Sequence, residues 1–365
     1  MKKFFTLFLC LALMLVSAAP ALAFDAIPKD ELKLGFIYIG DVTDMGYTFA
    51  HHQGTLYMQQ TLGLRDDQVL IKKNVAEDSA TETAIRELIE QGCHAIFATS
   101  FGYMSYMQEL SEEYPEVIFS HCSGYESNDV NFNNYFGRIY EARYLSGIAA
   151  GLKSLEIGNN HLGYVAAYTT IPEVVYSFNA YYLGAKSVNP DVTMTVKATN
   201  SWYDPTVERQ VADALITDGC GILAQHCDTT GPVVAAQENG LFAVGYNADV
   251  SEFGPGAVLT SPVWYWGIYL EDAVTKIING TWTPDNVLMG LSDHLVGLSA
   301  LTENCSEGTA EAIDEAALKI LTGEFGVFEG PINDNTGAER VPAGQTLTPS
   351  EILSISWFAE GITVG

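Results

Sequence analysis

The sequence has few basic residues. Its 365 residues include 17 Lys and Arg against 45 Asp and Glu, which gives a formal net charge of −28 at pH 7. A surface this acidic repels phosphate backbones and anionic headgroups, so nucleic acid and acidic membranes are not expected as partners. Solvated acidic faces that keep the protein in solution are the simplest interpretation of this charge.

Cysteine is also scarce. Cys10 lies in an apolar run at the start of the chain, and the other cysteines are Cys93, Cys122, Cys220, Cys227 and Cys305. Without Cys10 five cysteines remain, and an odd number in a chain rich in apolar residues does not indicate a disulfide scaffold. His and Cys are neighbours three times, but adjacent side chains of a strand point to opposite faces and cannot chelate one metal ion together. We therefore expect no metal site and no cofactor.

Sequence signatures of catalysis are missing. The chain contains no G-x-S-x-G elbow, no P-loop, no G-x-G-x-x-G after a strand and no H-E-x-x-H. A triad assembled from separated residues, such as Ser100, His226 and Asp44, has no local signature to support it. These absences favour a binding protein over an enzyme.

The first residues, "MKKFFTLFLCLALMLVSAAPALAF", combine a basic start, an apolar run and a small-residue A-L-A site. This pattern is typical of a secretory signal peptide, so residues 1–23 are expected to be removed and the mature chain to begin at Phe24. The residue directly after the expected cleavage site is Phe24 and not a cysteine, which argues against a lipid anchor. The pattern predicts a periplasmic or otherwise extracytoplasmic protein, and no later apolar run reaches the ~18 residues that a membrane span needs.

Strand-like and helix-like segments alternate along the mature chain, which predicts an α/β fold with parallel sheets covered on both faces. The alternation occurs twice. "LIEQGCHAIFATSFG" (88–102) matches "LITDGCGILAQHCDT" (215–229), and "LGFIY" (34–38) matches "LGYVA" (162–166) at nearly the same offset. Two short matches at one offset indicate a duplicated α/β lobe.

Ligands of open parallel sheets bind beyond the carboxyl ends of the strands, so the turns that follow the strands should form the walls of one cleft. These turns are rich in aromatic and short polar residues and poor in Lys and Arg, a mixture that suits a flat heteroaromatic ligand better than an anion. The candidate ligand-binding residues in these turns are Asp44, Tyr47, Ser100, Phe101, Trp202, Asp228 and Asn247.

Each candidate also has a structural interpretation. Asp44 could cap the helix that starts near Tyr47, and Asp228 could cap the helix that follows its own turn. Asp204 precedes Pro205, which indicates a helix N-terminus. His51 is expected to be a hydrogen-bonded residue beside the cleft and not a proton carrier.

Motifs along the chain, including "GFIYIGDVTDMGYTFAHHQG", "IFATSFGYM", "NSWYDP", "AQHCDTTGPV", "VGYNADVSEF", "LTSPVWYWGIY" and "FEGPI", resemble in order those of the basic membrane protein family. This family comprises nucleoside- and purine-binding components of ABC importers. The resemblance covers nearly all of the mature chain. It implies a type I periplasmic-binding fold, with two doubly wound parallel-sheet lobes joined by three crossovers that close around one small solute.

The resemblance also implies a ligand class. Members that bind whole nucleosides hold the ribose with an Asp in the turn matching "GYNAD" and a Lys in the segment matching "LTSPVW". This sequence has Asn247 and Trp264 at those places, although Asp249 is an alternative acidic group. This chain thus lacks the two charged groups that bind the sugar and has an indole ring in addition. The change favours a free purine base as the ligand, with adenine preferred and a nucleoside as the alternative.

The resemblance assigns residues 31–140 and 263–292 to the N-terminal lobe, and residues 141–262 and 293–365 to the C-terminal lobe. The expected partner is an ABC permease in the inner membrane, to which a monomeric receptor presents its solute. A binding module that passes closure to a membrane sensor is the alternative. Asp293 and His294 have no predicted role.

Overall fold

The computed structural model describes residues 24–365, so the predicted signal peptide lies outside the described residues. The strands, in chain order, are β1 Leu34–Ile37, β2 Val69–Lys72, β3 Ala95–Ala98, β4 Ile118–Cys122, β5 Phe132–Gly137, β6 His161–Ala166, β7 Thr193–Ala198, β8 Ile222–His226, β9 Phe242–Val244, β10 Val258–Thr260, β11 Pro262–Trp264, β12 Val287–Met289, β13 Val296–Leu298, β14 Ile332–Asn333, β15 Glu339–Val341 and β16 Ile362–Val364.

The helices are α1 Tyr47–Leu62, α2 Ser79–Glu90, α3 Met104–Glu113, α4 Ile139–Ile157, α5 Pro172–Val188, α6 Pro205–Thr217, α7 Gly231–Glu238, α8 Trp266–Asn279, α9 Thr309–Leu321 and α10 Pro349–Ile352. Local signals in the sequence set several of their ends. The Asp204 carboxylate accepts the N–H groups of Thr206 and Val207 and caps α6, as its place before Pro205 predicts. Gly63, in the left-handed region at φ 60°, ends α1.

Two six-stranded parallel sheets form the frame of the molecule. Their strand orders are β12-β5-β4-β3-β1-β2 and β10-β9-β8-β6-β7-β16. The winding direction reverses between β1 and β3 in the first sheet and between β6 and β8 in the second, because β1 pairs with both β2 and β3, and β6 with both β7 and β8. Each reversal opens a crevice at the carboxyl ends of the strands, where ligands of such sheets bind.

The two sheets confirm the predicted α/β fold and its duplicated plan. The matching segments 34–38 and 162–166 contribute β1 and β6, the strands beside each reversal, and the segments 88–102 and 215–229 contribute β3 and β8. We call each sheet with its helices a lobe, the first and the second in chain order. The exact domain boundaries stay a prediction.

Three crossovers join the lobes. The chain leaves the first sheet after β5, returns to it at β12, and crosses again towards β16 in the second sheet. Strands β11 and β13, which belong to two of these crossovers, pair as an antiparallel ribbon between the lobes. In the part of the chain that the structure describes, no helix combines the length and apolar composition that a membrane span requires.

Arg138 ties the first crossover to the third. Its guanidinium donates to Glu141 Oε1 at 2.6 Å and to Asp293 Oδ2 at 3.4 Å, while Glu141 Oε2 accepts the Leu291 N–H at 2.7 Å. Asp293 also accepts the Gly290 N–H at 2.7 Å. Asp293, which had no predicted role, thus holds the turn that begins the third crossover.

Helices α4 and α5 pack with their backbones in direct contact. A Cβ atom added at Gly184 would collide with the Tyr144 carbonyl oxygen, and one added at Gly147 would collide with the Tyr181 carbonyl oxygen. Neither glycine is in the left-handed region, so packing and not backbone conformation requires them. This contact anchors α4, the helix that carries the first crossover into the second lobe.

We expect Gly184→Ala to lower the free energy of unfolding by about 1–3 kcal/mol, because the added methyl group overpacks the α4–α5 contact. Urea denaturation monitored by circular dichroism measures this change. Gly256→Ala is the matched control, since the nearest atom to its added Cβ is the flexible end of the Gln237 side chain at 3.3 Å. Equal stability of the two variants would contradict the packing argument.

Candidate functional site

A cleft of about 400 Å³ lies between the lobes, at the carboxyl ends of the strands beside both reversals. We call it the interlobe cleft, and its volume includes space that is open to solvent. Its walls contain aromatic rings from both lobes and, among residues 24–365, no Lys or Arg. The lining residues are Ile39, Tyr47, Ser100, Phe101 and Ser123 from the first lobe and Glu173, Trp202, His226, Asp228 and Tyr246 from the second.

Asp228 connects the lobes across the cleft. Its Oδ1 accepts the Tyr47 N–H at 3.3 Å and the Asn247 side-chain amide at 2.9 Å. Oδ2 makes no hydrogen bond within residues 24–365, which leaves it available to a solute. Burial, followed by the nearby carboxylates of Asp44 and Glu208, holds the pKa of Asp228 well above its usual range.

Gly46 allows this close approach of the lobes. A Cβ atom at Gly46 would lie 2.7 Å from Asp228 Cα, closer than real Cβ contacts come. The φ of Gly46 is −117°, a value that any residue adopts, so the glycine is needed for contact between lobes and not for backbone strain. The structure is therefore a closed arrangement of the two lobes.

Glu208 supports the turn that presents Asp228. It is fully buried in α6, and its Oε2 accepts both the backbone N–H and the hydroxyl of Thr229, at 3.0 and 2.6 Å. Its Oε1 accepts the Asp204 N–H at 3.0 Å. Burial raises the pKa of Glu208 despite these donors. The sequence did not point to Glu208, because its position in a helix does not show that this side of the helix is buried.

Five of the predicted site residues line the cleft together: Tyr47, Ser100, Phe101, Trp202 and Asp228. The Phe101 side chain is 39% exposed, which leaves its face open to a solute. The Ser100 hydroxyl already donates to Glu77 at 2.6 Å, so it can act towards a solute only as a hydrogen-bond acceptor. Trp202 packs edge to face with Tyr168, at a centroid distance of 5.0 Å. These contacts fix the orientation of the walls.

Asp44 lies in an adjoining cavity and acts as a helix cap. Its Oδ1 accepts the N–H groups of Gly46 and Phe49, both at 2.9 Å, and its Oδ2 accepts that of Thr48 at 3.1 Å. Burial raises its pKa in spite of these hydrogen bonds. Both oxygens already serve the start of α1, so the structural interpretation accounts for this residue.

Asn247 and Trp264 do not line the interlobe cleft. Asn247 is buried behind Asp228 and holds that carboxylate through its amide. The predicted stacking face of Trp264 needs correction: its ring stacks on Trp266 at a centroid distance of 4.4 Å and packs against Phe136 at 5.3 Å. Its Nε1–H donates to the Tyr246 hydroxyl at 3.3 Å, so Trp264 reaches the cleft only through Tyr246.

His51 is buried beside the aromatic residues of α8, not in the cleft. Its ring stacks on Trp266 at 4.4 Å, and neither of its ring nitrogens has a hydrogen-bond partner in the described part of the chain. Burial lowers the pKa of His51 well below its usual value, which keeps the imidazole neutral. The prediction that it is not a proton carrier agrees with this environment, but the expected hydrogen bond is not present.

The cleft residues that sequence reasoning missed are Ile39, Ser123, Glu173, His226 and Tyr246. All except Ile39 belong to turns or strand ends that the parallel-sheet rule selects, but the rule does not tell which side chain of a turn points inward. Glu173 is the second residue of α5, and its carboxylate faces His226 Nε2 at 3.3 Å.

A larger cavity, of about 1350 Å³ including open space, lies on the outer face of the crossovers between α1, α8 and the β11–β13 ribbon. It is lined by Tyr57, Tyr265, Trp264 and His294 among others. The carboxyl ends of the two sheets do not contribute to it, and none of its lining residues among the described part of the chain comes from the turns of the second sheet. The interlobe cleft is therefore the candidate site.

Comparison with known families matches residues 31–327 to the family described as "ABC transporter substrate-binding protein PnrA-like". A purine-binding protein of Brucella abortus is 35% identical over 334 residues, which cover 92% of this chain and 93% of the relative. A putative ABC transporter glucose-binding protein of Haloferax volcanii, TsgA13, is 34% identical over 82% of this chain and 75% of its own length.

Solved structures share the fold. A solute-binding protein of an Aeropyrum pernix ABC transporter superposes with a TM-score of 0.70 at 18% identity, over 83% of this chain and 93% of its own. A transcriptional activator of the comK gene from Bacillus halodurans gives a TM-score of 0.69 at 20% identity, over 80% and 99% of the two chains. At such identities these likenesses support the two-lobed fold alone.

We expect Gly46→Ala to hold the lobes apart, because its methyl group would occupy the space of the Asp228 backbone. The variant should show a larger radius of gyration than the wild type in small-angle X-ray scattering, with Gly256→Ala unchanged. An identical radius of gyration for all three proteins would contradict the closure contact.

The raised pKa of Asp228 predicts a pH-dependent effect of Asp228→Asn. The pKa of Asp228 in the folded protein lies above the unfolded value near 3.8. Between these two pKa values the native state retains a proton that the unfolded state releases. The stability that this proton confers is therefore lost as the pH rises from about 4 through the folded pKa. Asparagine keeps an acceptor oxygen but does not titrate. The stability of the variant relative to the wild type should therefore increase between pH 4 and 7 in urea denaturation. A constant or falling difference would contradict the assignment.

Proposed function

Because the chain belongs to the PnrA-like family of ABC transporter substrate-binding proteins, we propose that its solute is a free purine base, with adenine favoured, bound in the interlobe cleft. The family consists of binding proteins and not enzymes, so the cleft has the task of recognition and release. Such proteins deliver a small solute to a membrane permease. The purine-binding relative, at 35% identity, supports the ligand class.

The observation that carries the proposal is the composition of the cleft walls. Tyr47 and Phe101 on the first lobe and Trp202 on the second offer aromatic faces, and no Lys or Arg of the described part of the chain lines the cleft. A flat uncharged ring gains from such faces about 1 kcal/mol per stacked pair beyond the burial of its area. An anionic solute such as a nucleotide would need basic groups that this cleft lacks.

Asp228 is suited to read the edge of adenine. Because Oδ1 accepts from both Tyr47 and Asn247, a protonated Asp228 carries its proton on Oδ2 and donates it to the solute, which matches the unprotonated ring nitrogen beside the amino group of adenine. The raised pKa of Asp228 favours this protonated form. Guanine and hypoxanthine carry a ring N–H next to the exocyclic group instead, and would pair with the ionised carboxylate. A mismatched edge leaves a buried polar group unpaired, which supplies selectivity.

Two observations favour the base over a nucleoside. Asn247 stands where the family's sugar-binding Asp is expected, and its amide already binds Asp228. Asp249, the alternative acidic residue, is exposed and accepts the Ser251 N–H at 2.9 Å. Neither residue offers a carboxylate to ribose hydroxyls within the interlobe cleft.

Hinge closure is the proposed mechanism. The base would bind one lobe first, and the Asp228–Tyr47 contact would then close the cleft around it. The closed pair of lobes would form the surface that an ABC permease in the inner membrane recognises, after which opening releases the base. We further propose that the receptor acts as a monomer outside the cytoplasm, freed by signal-peptide cleavage and without a lipid anchor.

A thermal-shift panel of ligand-stripped protein tests the proposal. The panel contains adenine, guanine, hypoxanthine, adenosine and glucose, since one of the two relatives is named as a purine-binding protein and the other as a putative glucose-binding protein. A ligand at 100 times its dissociation constant stabilises the native state by ~2.7 kcal/mol, and we expect adenine to give the largest shift. A larger shift with glucose or adenosine than with any bare purine would contradict the proposal.

Trp202→Ala should weaken the binding of adenine about tenfold or more, because it removes a stacking face and its buried area. Isothermal titration calorimetry measures the change. Tyr265→Ala is the control, since Tyr265 is an exposed aromatic residue on the outer cavity. Equal affinities of the two variants would rule out Trp202 as a wall of the binding site.

A further inference from the structure

One end of the interlobe cleft is closed by a hydrogen-bonded chain of three side chains. His226 Nε2 lies 3.3 Å from Glu173 Oε1 and 3.3 Å from the Tyr246 hydroxyl. All three residues line the cleft, and His226 and Tyr246 are each only 3% exposed. Glu173 and Tyr246 therefore stand on either side of one ring nitrogen and both face the solute.

Tyr246 is held rigidly from behind. The Trp264 Nε1–H donates to its hydroxyl at 3.3 Å, and the Arg143 guanidinium lies 3.7 Å from the centre of its ring. Arg143 is completely buried, and its Nη1 donates to the Gln225 carbonyl at 2.8 Å. A desolvated cation over an aromatic face is strongly attracted to it, which fixes the plane of the Tyr246 ring.

The partners of these groups assign the protons. Trp264 can only donate, and the Glu173 carboxylate can only accept. His226 Nδ1 is buried without a partner in the described part of the chain, so a neutral imidazole is best satisfied with its proton on Nε2, which lies 3.3 Å from both Glu173 Oε1 and the Tyr246 hydroxyl. Burial, and secondarily Arg143, lowers the pKa of His226, in agreement with a neutral ring, although Glu173 opposes this shift.

This assignment gives the cleft one donor and one acceptor side by side. The Tyr246 hydroxyl already accepts from Trp264, and His226 does not accept its proton, so the hydroxyl proton is directed to the solute. The second oxygen of Glu173 has no hydrogen bond within residues 24–365 and accepts from the solute. The solute edge that fits has a ring nitrogen next to an N–H group.

We propose that Tyr246 and Glu173 bind the N3 and N9–H edge of a purine and thereby select the free base against nucleosides. The inference rests on the proposed purine function and adds to it the residues that reject a sugar. Every purine without a 9-substituent has this edge, whatever its 6-substituent, so Asp228 would distinguish one base from another while this pair distinguishes bases from nucleosides. A sugar at N9 removes the N–H and places its bulk against the buried Tyr246.

Calorimetric titration of adenine, 9-methyladenine and adenosine into the full mature protein tests the pair. The wild type should bind adenine at least about tenfold more tightly than 9-methyladenine, because the methyl group removes one hydrogen bond and adds bulk. Tyr246→Phe keeps the ring over Arg143 and removes the donor, and should weaken adenine binding about tenfold. In Glu173→Gln, His226 donates to the amide oxygen, so the NH2 group faces the N–H of the ligand. Because two donors then face each other, adenine binding should weaken by at least as much.

Two further variants separate positioning from general damage. Trp264→Phe keeps the aromatic packing but removes the donor to Tyr246, and should reduce the affinity ratio of adenine to 9-methyladenine. Tyr164→Phe is the matched control: it removes a buried hydroxyl that has no hydrogen-bond partner among residues 24–365, from a ring 5.7 Å from Arg143 and outside the cleft lining. Its affinities should stay within about twofold of the wild type.

The outcomes are distinct. If the wild type binds adenine but 9-methyladenine binds as tightly, or if Tyr246→Phe and Glu173→Gln both bind adenine like the wild type, the inference is wrong and the purine function stands. If the wild type binds no purine, the proposed function fails and the inference fails with it. Reduced adenine binding in both variants, with Tyr164→Phe unchanged, supports the pair.

Discussion

The structure depends on a buried carboxyl group that joins the two lobes. Asp228, 8% exposed, receives the Tyr47 N–H from the first lobe and the Asn247 amide from the second on the same oxygen. Burying a carboxylate away from water is costly unless hydrogen bonds compensate for the lost hydration. Two donors on one oxygen compensate only in part, and the pKa of Asp228 rises accordingly. A solute that binds the other oxygen, Oδ2, would stabilise the closed arrangement relative to the open one. Ligand-driven closure needs such a contact, one that favours the closed state.

The surrounding fold makes this contact reachable. The winding reversals of the two sheets place the turns after β1 and β8 opposite one another, and Gly46 lets the start of α1 come against the Asp228 backbone. Glu208 holds the Asp228 turn from within the second lobe. The β11–β13 ribbon and the Arg138–Asp293 pair lie at the crossovers, where the movement of one lobe relative to the other has to occur.

Periodicity and strand-end reasoning reached the architecture and the turns that form the cleft. Parallel strands flanked by helices leave a strong pattern, and α1 begins at Tyr47 as its pattern predicts. The same reasoning did not resolve which side chains of a turn point inward. Trp264 was expected to face the solute, but the pairing of β11 with β13, a long-range contact, turns its indole towards Trp266. Arg143 lies in the second turn of α4, where nothing in the local sequence reveals that Tyr246 packs over it.

A crystal structure of the mature protein grown with adenine tests the central claim most directly. The account predicts closed lobes, with the base between the rings of Tyr47 and Phe101 on one side and Trp202 on the other, and with the ring nitrogen beside its amino group at Asp228 Oδ2. Adenine found in the outer cavity beside Tyr57 and Tyr265, or lobes closed without any contact between the base and Asp228, would contradict it.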